Sequence, residues 1–446
     1  MRLTEAAYWV KRLGTILFVV LFLVIVFLYI TTLEPRKKEI SSYTTPDFAC
    51  TLTADEFKNN KLSIPSLSLG PDSKMNFTID TPTGRIDDLP TIVNVFEYDN
   101  PGEMLNSLDL AKDIAKNLGF TDQQMERIGT KEYKWVDPTT ARTLRIQARN
   151  LTFTLETDFS NPNALPEKRN IPTDIEAKRA AINFLQSTSG LLPADYAQND
   201  PYLTYIKLDR NGNYTQSRSK AETDLIRVDF FRKAKLMTLY SSHKDYNEII
   251  KRFNRFEQVE DPDSTSSQTI THFMASVSTL SFTNGNISVY IGSPRDERRS
   301  FGSNAIYQIN YKNWYLNPEP CGTYELITSN EAIEMLKNGH GSLIYLVERN
   351  GDTVRPYSPQ SVTRFSILNV TLGYYDPPFE SRFMQPIYII SGEATFDTGV
   401  LGDFIYYVPA IKYEVIEDFD PDKVSDPTDI VEDEGESGGG LMIPGL

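Results

Sequence analysis

His243, His272 and His340 are the three histidines of the chain, and a triad of nucleophile, histidine and acid would have to use one of them. Their settings, "SSHKDY", "ITHFMAS" and "NGHGS", read as loops or element edges, and no GxSxG turn presents a serine beside them. HExxH, the P-loop and GxGxxG are absent as well. Zinc chemistry would need clustered thiols or imidazoles. Cys50 and Cys321 are the two cysteines, with no CxxC and no histidine nearby. They could form one disulfide in an oxidising compartment or remain two thiols. "DRNGNY" opens like a calcium loop with Asp209, Asn211 and Asn213. Its glycine is the fourth residue instead of the sixth, however, and Glu222 falls two residues beyond the twelfth, so a turn is the better reading. The 60 acidic residues include no pair set off by tryptophans, as glycoside cleavage would suggest, since only Trp9, Trp135 and Trp314 exist. The residues predict no catalytic site, no cofactor site and no metal site.

Composition sets the frame for that expectation. The 446 residues are 40% apolar and 11% aromatic, enough for sizeable cores. Net charge is −15, but residues 417–436 alone carry −9, with ten acids against Lys423. No basic face is evident, and the arginines of "GSPRDERRS" alternate with acids, so nucleic acid is not an expected partner. Asn76, Asn150, Asn213, Asn286 and Asn369 each begin an N-x-S/T triplet, a number near chance for this composition.

Hydropathy predicts one N-terminal transmembrane helix. Residues 13–33 lack charge and include the unbroken apolar run "ILFVVLFLVIVFLYI", the length of one span. No small-x-small cleavage site follows, which favours an uncleaved anchor. Arg2, Lys11 and Arg12 before the span nearly balance Arg36, Lys37 and Lys38 after it, so flanking charge alone leaves orientation undecided. Residues 1–12 then form a short cytoplasmic end, 13–33 the anchor and 34–60 a stalk.

Downstream, a capped helix followed by alternating strands is read three times. The first helix lies in "DNPGEMLNSLDLAKDIAKNLGF", with Asn100 as cap, Pro101 in the first turn and Gly119 at the end. The second, "PTDIEAKRAAINFLQS", opens with the capping box Thr173 and Glu176, and has Ile175 among its buried positions. The third, "TSNEAIEMLKNG", repeats the box with Thr328 and Glu331. "SLIYLVERNGDTVRPY" reads as a hairpin around Asn350-Gly351. The predicted fold class is therefore α+β, the transmembrane helix followed by two or three modules of helix packed on antiparallel sheet. Module boundaries fall at 61–160, 165–320 and 321–416, and the acidic, Gly-rich residues 417–446 read as a disordered tail.

The last module carries a resemblance. "CGTYELITSNEAIEMLKNGHG", "VTLGYYDPPFESRFMQPIYIISGEA" and "FIYYVPAI" combine a Thr-Tyr entry, a Glu-Ala helix ending in Gly, an aromatic "LGYY" strand, a Pro-led strand ending in Gly, and a closing "VPA". These residues resemble the C-terminal module of YycH/YycI-type proteins, single-pass accessory proteins of a cell-wall-sensing histidine kinase of Gram-positive bacteria. "LIRVDFFRK" is a weaker match, and the helix-and-hairpin units are similar to PepSY-type modules. The resemblance spans roughly residues 165–411, and the acidic tail departs from it. It implies an N-in anchor at the cell membrane, an extracytoplasmic body and a non-catalytic regulatory role through protein–protein interaction. The expected partner is another membrane or envelope protein. A structural assembly subunit of the envelope, or an envelope hydrolase, are the alternatives.

Within "LGYYDPPFESRFMQPIYIISGEATF", Leu368, Val370, Leu372 and Tyr374 alternate toward the helix at 328–338, and the double proline ends the strand. Pro386 is expected to open the next strand. The exposed loop between them, Asp376, Pro377, Pro378, Phe379 and onward to Phe383, is the candidate partner-binding loop.

Overall fold

A computed structural model describes Cys50 and residues 61–413, apart from 82–90, 100–105, 129–130, 167–169, 188–190, 198, 244–245, 253–255, 261–268, 296–300 and 350. The expected anchor, the stalk before Cys50, Asn100, Pro101 and the acidic tail lie outside the described residues.

The helices are α1 (Ser107–Asn117), α2 (Asp174–Ser187), α3 (Ala194–Ala197), α4 (Tyr246–Arg252) and α5 (Ser329–Lys337). Both capping boxes form. Thr173 N–H donates to Glu176 Oε2 at 2.8 Å, and Glu331 N–H donates to Thr328 Oγ1 at 3.2 Å. Gly119 and Gly339, at φ +84 and +81, close α1 and α5 in the left-handed conformation that glycine adopts without a Cβ penalty. Ile175 differs from expectation. It is 68% exposed, because Ala177, Ala180, Ala181, Phe184 and Leu185 already supply the buried face of α2.

Nineteen described strands complete the chain. The first nine are β1 (Phe77–Ile79), β2 (Ile92–Glu97), β3 (Met125–Ile128), β4 (Glu132–Asp137), β5 (Arg142–Gln147), β6 (Phe153–Thr157), β7 (Tyr202–Leu208), β8 (Tyr214–Gln216) and β9 (Leu225–Phe230). Then come β10 (Lys233–Tyr240), β11 (Phe256–Glu260), β12 (Thr269–Ser278), β13 (Ile287–Ile291) and β14 (Ile306–Tyr311). The last five are β15 (Gly322–Glu325), β16 (Ser342–Glu348), β17 (Val362–Tyr375), β18 (Phe383–Phe396) and β19 (Leu401–Pro409).

These strands correct the expected fold class. The molecule is mostly β, built on two large sheets rather than on sequential helix-and-sheet modules. A ten-stranded sheet runs β10-β12-β17-β18-β19-β16, with β1, β2, β11 and β15 attached to it. A nine-stranded sheet runs β3-β4-β5-β6-β14-β13-β9-β7-β8, antiparallel throughout. The expected module boundaries do not separate the sheets, because β1 and β2 join the sheet of the last module while β3 to β6 join that of the middle one. The helices cover only local faces, whereas strand pairing is decided by partners far along the chain. The expected transmembrane helix at 13–33 lies outside the described residues, and among those described no helix is long and apolar enough to cross a membrane.

Each sheet has its own core. Trp135, Leu144, Val228 and Val289 of the nine-stranded sheet pack with α1 and α2. Tyr374, Tyr388, Tyr406 and Val408 of the larger sheet pack with Ala332, Ile333 and Leu336 of α5. A disulfide joins Cys50 to Cys321 beside that second core. The hairpin expected at Asn350-Gly351 does not form. The strand before it, β16, pairs with β19 instead, and no strand occupies 351–361.

Candidate functional site

The short crossing from β9 to β10 places the site. β9 is buried along its whole length in the nine-stranded sheet, and β10 begins in the other sheet after only Phe231 and Arg232. Arg232 is therefore fixed at the seam, where it is 2% exposed. A buried guanidinium must be paired and hydrogen-bonded to be tolerated. Its Nε donates to Asp376 Oδ2 at 3.2 Å, and Nη1 lies 2.8 Å from Asp195 Oδ2 at the start of α3. Nη2 donates to Asn313 Oδ1 at 2.9 Å and to the Trp314 carbonyl at 2.7 Å.

Asp376, placed at the end of β17, is 1% exposed and gathers the opposite groups. Tyr98 donates its hydroxyl to Oδ1 at 2.6 Å, and Tyr196 to Oδ2 at 3.0 Å. The Asp376 carbonyl accepts from Asn286 Nδ2 at 3.0 Å, and its N–H donates to the Ser278 carbonyl. Burial would lower the Arg232 pKa, but the Asp376 charge, then Tyr196 and Asp195, outweigh it and hold it well above the ordinary value. Burial pushes both tyrosines far upward, so each remains a neutral donor. The hub is a latch between sheets, with its charges spent on one another.

The other buried ion pairs are spent in the same way. Arg227 and Asp229, 2.7 Å apart within β9, also engage Thr204, Ser288 and the Gly285 N–H. Arg142 approaches Asp137 at 3.7 Å and donates to the Leu118 carbonyl at the end of α1. His340 is exposed, and His272, half-buried in β12, meets the Thr238 hydroxyl at 3.0 Å. Burial, then the charge of Lys235, lowers its pKa. Among the described residues no group of three or more His, Cys, Asp or Glu is placed to hold a metal ion.

Open space flanks the latch. A groove of about 720 Å³ runs between β7 and the larger sheet, with Tyr202, Phe282, Tyr345 and Leu368 at its walls. Tyr202 is 61% exposed, Leu368 43% and Phe282 40%. A second cavity of about 430 Å³, walled by Phe231, Met274 and Val277, shares Tyr202, Phe282 and Thr283 with the first. Leu368 reaches the groove because a bulge between Ile367 and Asn369 breaks the expected alternation of β17.

The expected partner-binding loop is only partly a surface. Asp376 is in the latch, Pro377 is buried, Pro378 is half-buried, and Phe383 is 1% exposed in the core of the larger sheet. Phe383 belongs to β18, which begins three residues before Pro386 and pairs there with β2. Phe379, 45% exposed, remains at the surface. Arg232, Tyr98, Tyr196, Tyr202 and Phe282 were not legible as a group. The one local signal was an arginine directly after the apolar run "LIRVDFF".

No protein-family model matches the chain, and no curated protein matches it. The chain is similar to an uncharacterized protein from Eubacterium rectale ATCC 33656, whose crystal structure it matches at a TM-score of 0.35. Identity is 10% across 78% of this chain and 92% of that one, a likeness too loose to carry fold or function.

Proposed function

We propose that the chain is a non-catalytic binding protein that works outside the cytoplasm by recognising another protein through the aromatic-walled groove at the seam. The observation that carries this reading is the contrast between the two parts of the seam. The buried ion pairs of the described residues are spent within the latch or on one another, while Tyr202, Phe282 and Leu368 remain exposed around about 720 Å³ of open groove. Exposed rings around a concavity are the side chains that dominate recognition energetics, because they bury much area at little entropic cost. The Cys50–Cys321 disulfide supports an oxidising compartment. The resemblance to YycH/YycI-type accessory proteins agrees with a regulatory role.

A photo-crosslinking residue at position 202 or 282 tests it in intact cells. Each should give one discrete protein adduct, and a probe at Ile175, 68% exposed on α2, should not. The same adduct pattern from all three positions, or none from 202 and 282, overturns the groove as the recognition surface.

A further inference from the structure

One wall of the seam groove is a strand edge. Tyr202, Leu203, Thr204 and Tyr205 of β7 all line the groove, and four consecutive residues reach one space when the strand meets it edge-on, because a strand face offers only alternate residues. On one side β7 pairs with β9 over residues 202–206, but on the other β8 covers only 206–208. The chain then turns away. Ser217 N–H donates to the Tyr205 carbonyl at 2.9 Å, and the Ser217 hydroxyl donates to the Ser219 carbonyl at 2.8 Å. Among the described strands none pairs with the outer side of residues 202–204. Tyr205 aims its carbonyl at that outer side, and backbone groups alternate sides along an antiparallel strand, so Leu203 presents its N–H and carbonyl to the groove. Such an edge is a template for another strand.

Charge narrows the occupant. Among the described lining residues Asp403 of β19 carries the one charge, and it is exposed. Its cross-strand neighbours are Val347 and Glu393, and Glu393 is the carboxylate that Arg349 engages. A cation on the occupant is therefore favoured, and the chain's own residues 417–436, with ten acids against one lysine, are disfavoured by like charge. Tyr202 and Phe282 wall both the groove and the cavity of about 430 Å³ beyond it, where Phe231, Met274 and Val277 suit a large apolar side chain.

We propose that the partner protein docks an extended segment as an added strand on the open edge of β7, pairing with Leu203, setting a lysine or arginine against Asp403 and a large apolar side chain in the second cavity. This rests on the reading of the groove as the recognition surface and gives that surface its binding mode. Main-chain hydrogen bonds supply affinity in strand addition, and the side-chain pockets supply choice. The edge is held ready by β9, which is buried along its whole length, so little ordering is left for the partner to impose on it.

The test selects a randomised peptide library on the full chain and resynthesises the enriched peptides with blocked ends. They should combine a lysine or arginine with a large apolar residue, and at saturation they should slow hydrogen exchange of the Leu203 amide about tenfold or more. Methylating alternate backbone nitrogens of the peptide should abolish binding. Leu203→Pro removes the outward donor without touching the β9 ladder and should weaken binding about tenfold. Leu203→Ala loses similar packing but keeps the donor, so it should bind within about threefold of wild type. If Leu203→Pro does not fold, the methylated peptides decide the question on the wild-type chain. Asp403→Asn should erase a preference of about two- to fivefold for the basic peptide over its glutamine analogue. No enriched peptide, equal binding of methylated peptides, or an unprotected Leu203 amide would each overturn strand addition. Missing adducts from positions 202 and 282 in cells overturn the groove itself, so the two failures are distinct. Self-association of the peptide-free chain that protects Leu203 would give the edge to a second copy and overturn the separate partner.

Discussion

A guanidinium taken out of water must recover its hydration from the protein, and Arg232 does so with groups from both sheets. Asp376 comes from the end of β17 in one sheet, and Asn313 and the Trp314 carbonyl follow β14 of the other. Asp376→Asn leaves that buried charge with Asp195 alone, and should cost about 3–5 kcal/mol in urea unfolding. A cost below about 1 kcal/mol would show that the latch does not hold the sheets. Asp195 has the opposite character. Burial first, then the Asp376 charge, raises its pKa above the ordinary 3.8 against the pull of Arg232. A raised carboxyl stabilises the fold fully below its unfolded pKa, and that contribution is lost as pH rises through the folded value. Asp137 is lowered instead. Desolvation opposes the shift, but the Thr140 hydroxyl, the Thr139 N–H and Arg142 outweigh it, so its contribution is lost as pH falls through the folded value. Asp195→Asn should therefore flatten the decline of stability above 3.8 and leave the acid limb in place. An unchanged profile would remove Asp195 from the latch.

The pairing of β17 with β18 shows what an element can and cannot declare in advance. Opposite the bulge at Leu368 sits Gly392, where an added Cβ would lie 1.9 Å from the Ser366 carbonyl oxygen, part of the backbone. Gly392→Ala must push the two strands apart, at a cost of about 1–3 kcal/mol or more. The same displacement opens the groove that Gly392 helps to line, so crosslinking from position 202 should fall with it. Wild-type stability in this variant would mean that the strands separate freely there. The glycine was visible in the sequence as the end of a Pro-led strand, but the bulge was not, because its register depends on both strands. Features fixed by neighbours along the chain were legible. Both capping boxes and the Gly119 and Gly339 ends formed as read. The hairpin at Asn350-Gly351 failed because the partner of β16, β19, lies more than fifty residues downstream. The double proline marked the loop after β17 correctly, yet exposure at Asp376 and Phe383 was misjudged, since their partners come from Arg232 and β2.

Across the described molecule the chain passes repeatedly between its sheets, from β2 to β3, β9 to β10, β12 to β13 and β14 to β15. Local helix-then-strand order resembles a row of modules, but each sheet is assembled from distant segments, so pattern alone could not reveal it. Such a topology makes long-range closure valuable, and the Cys50–Cys321 disulfide spans 271 residues. Its effect is argued from the unfolded chain. Closing so long a loop removes conformations that the reduced chain would regain, worth about 5–6 kcal/mol in the chain-entropy account. The bond joins residues that are already buried or packed at the core of the larger sheet, so the native contacts should survive without it. The Cys50→Ser, Cys321→Ser double variant should therefore keep its far-UV spectrum and lose several degrees of Tm. Reductant should lower the wild type to the same value and leave the variant unmoved. Equal melting of oxidised and reduced wild type would mean that the long loop is already closed by the fold, with the disulfide adding nothing to its stability.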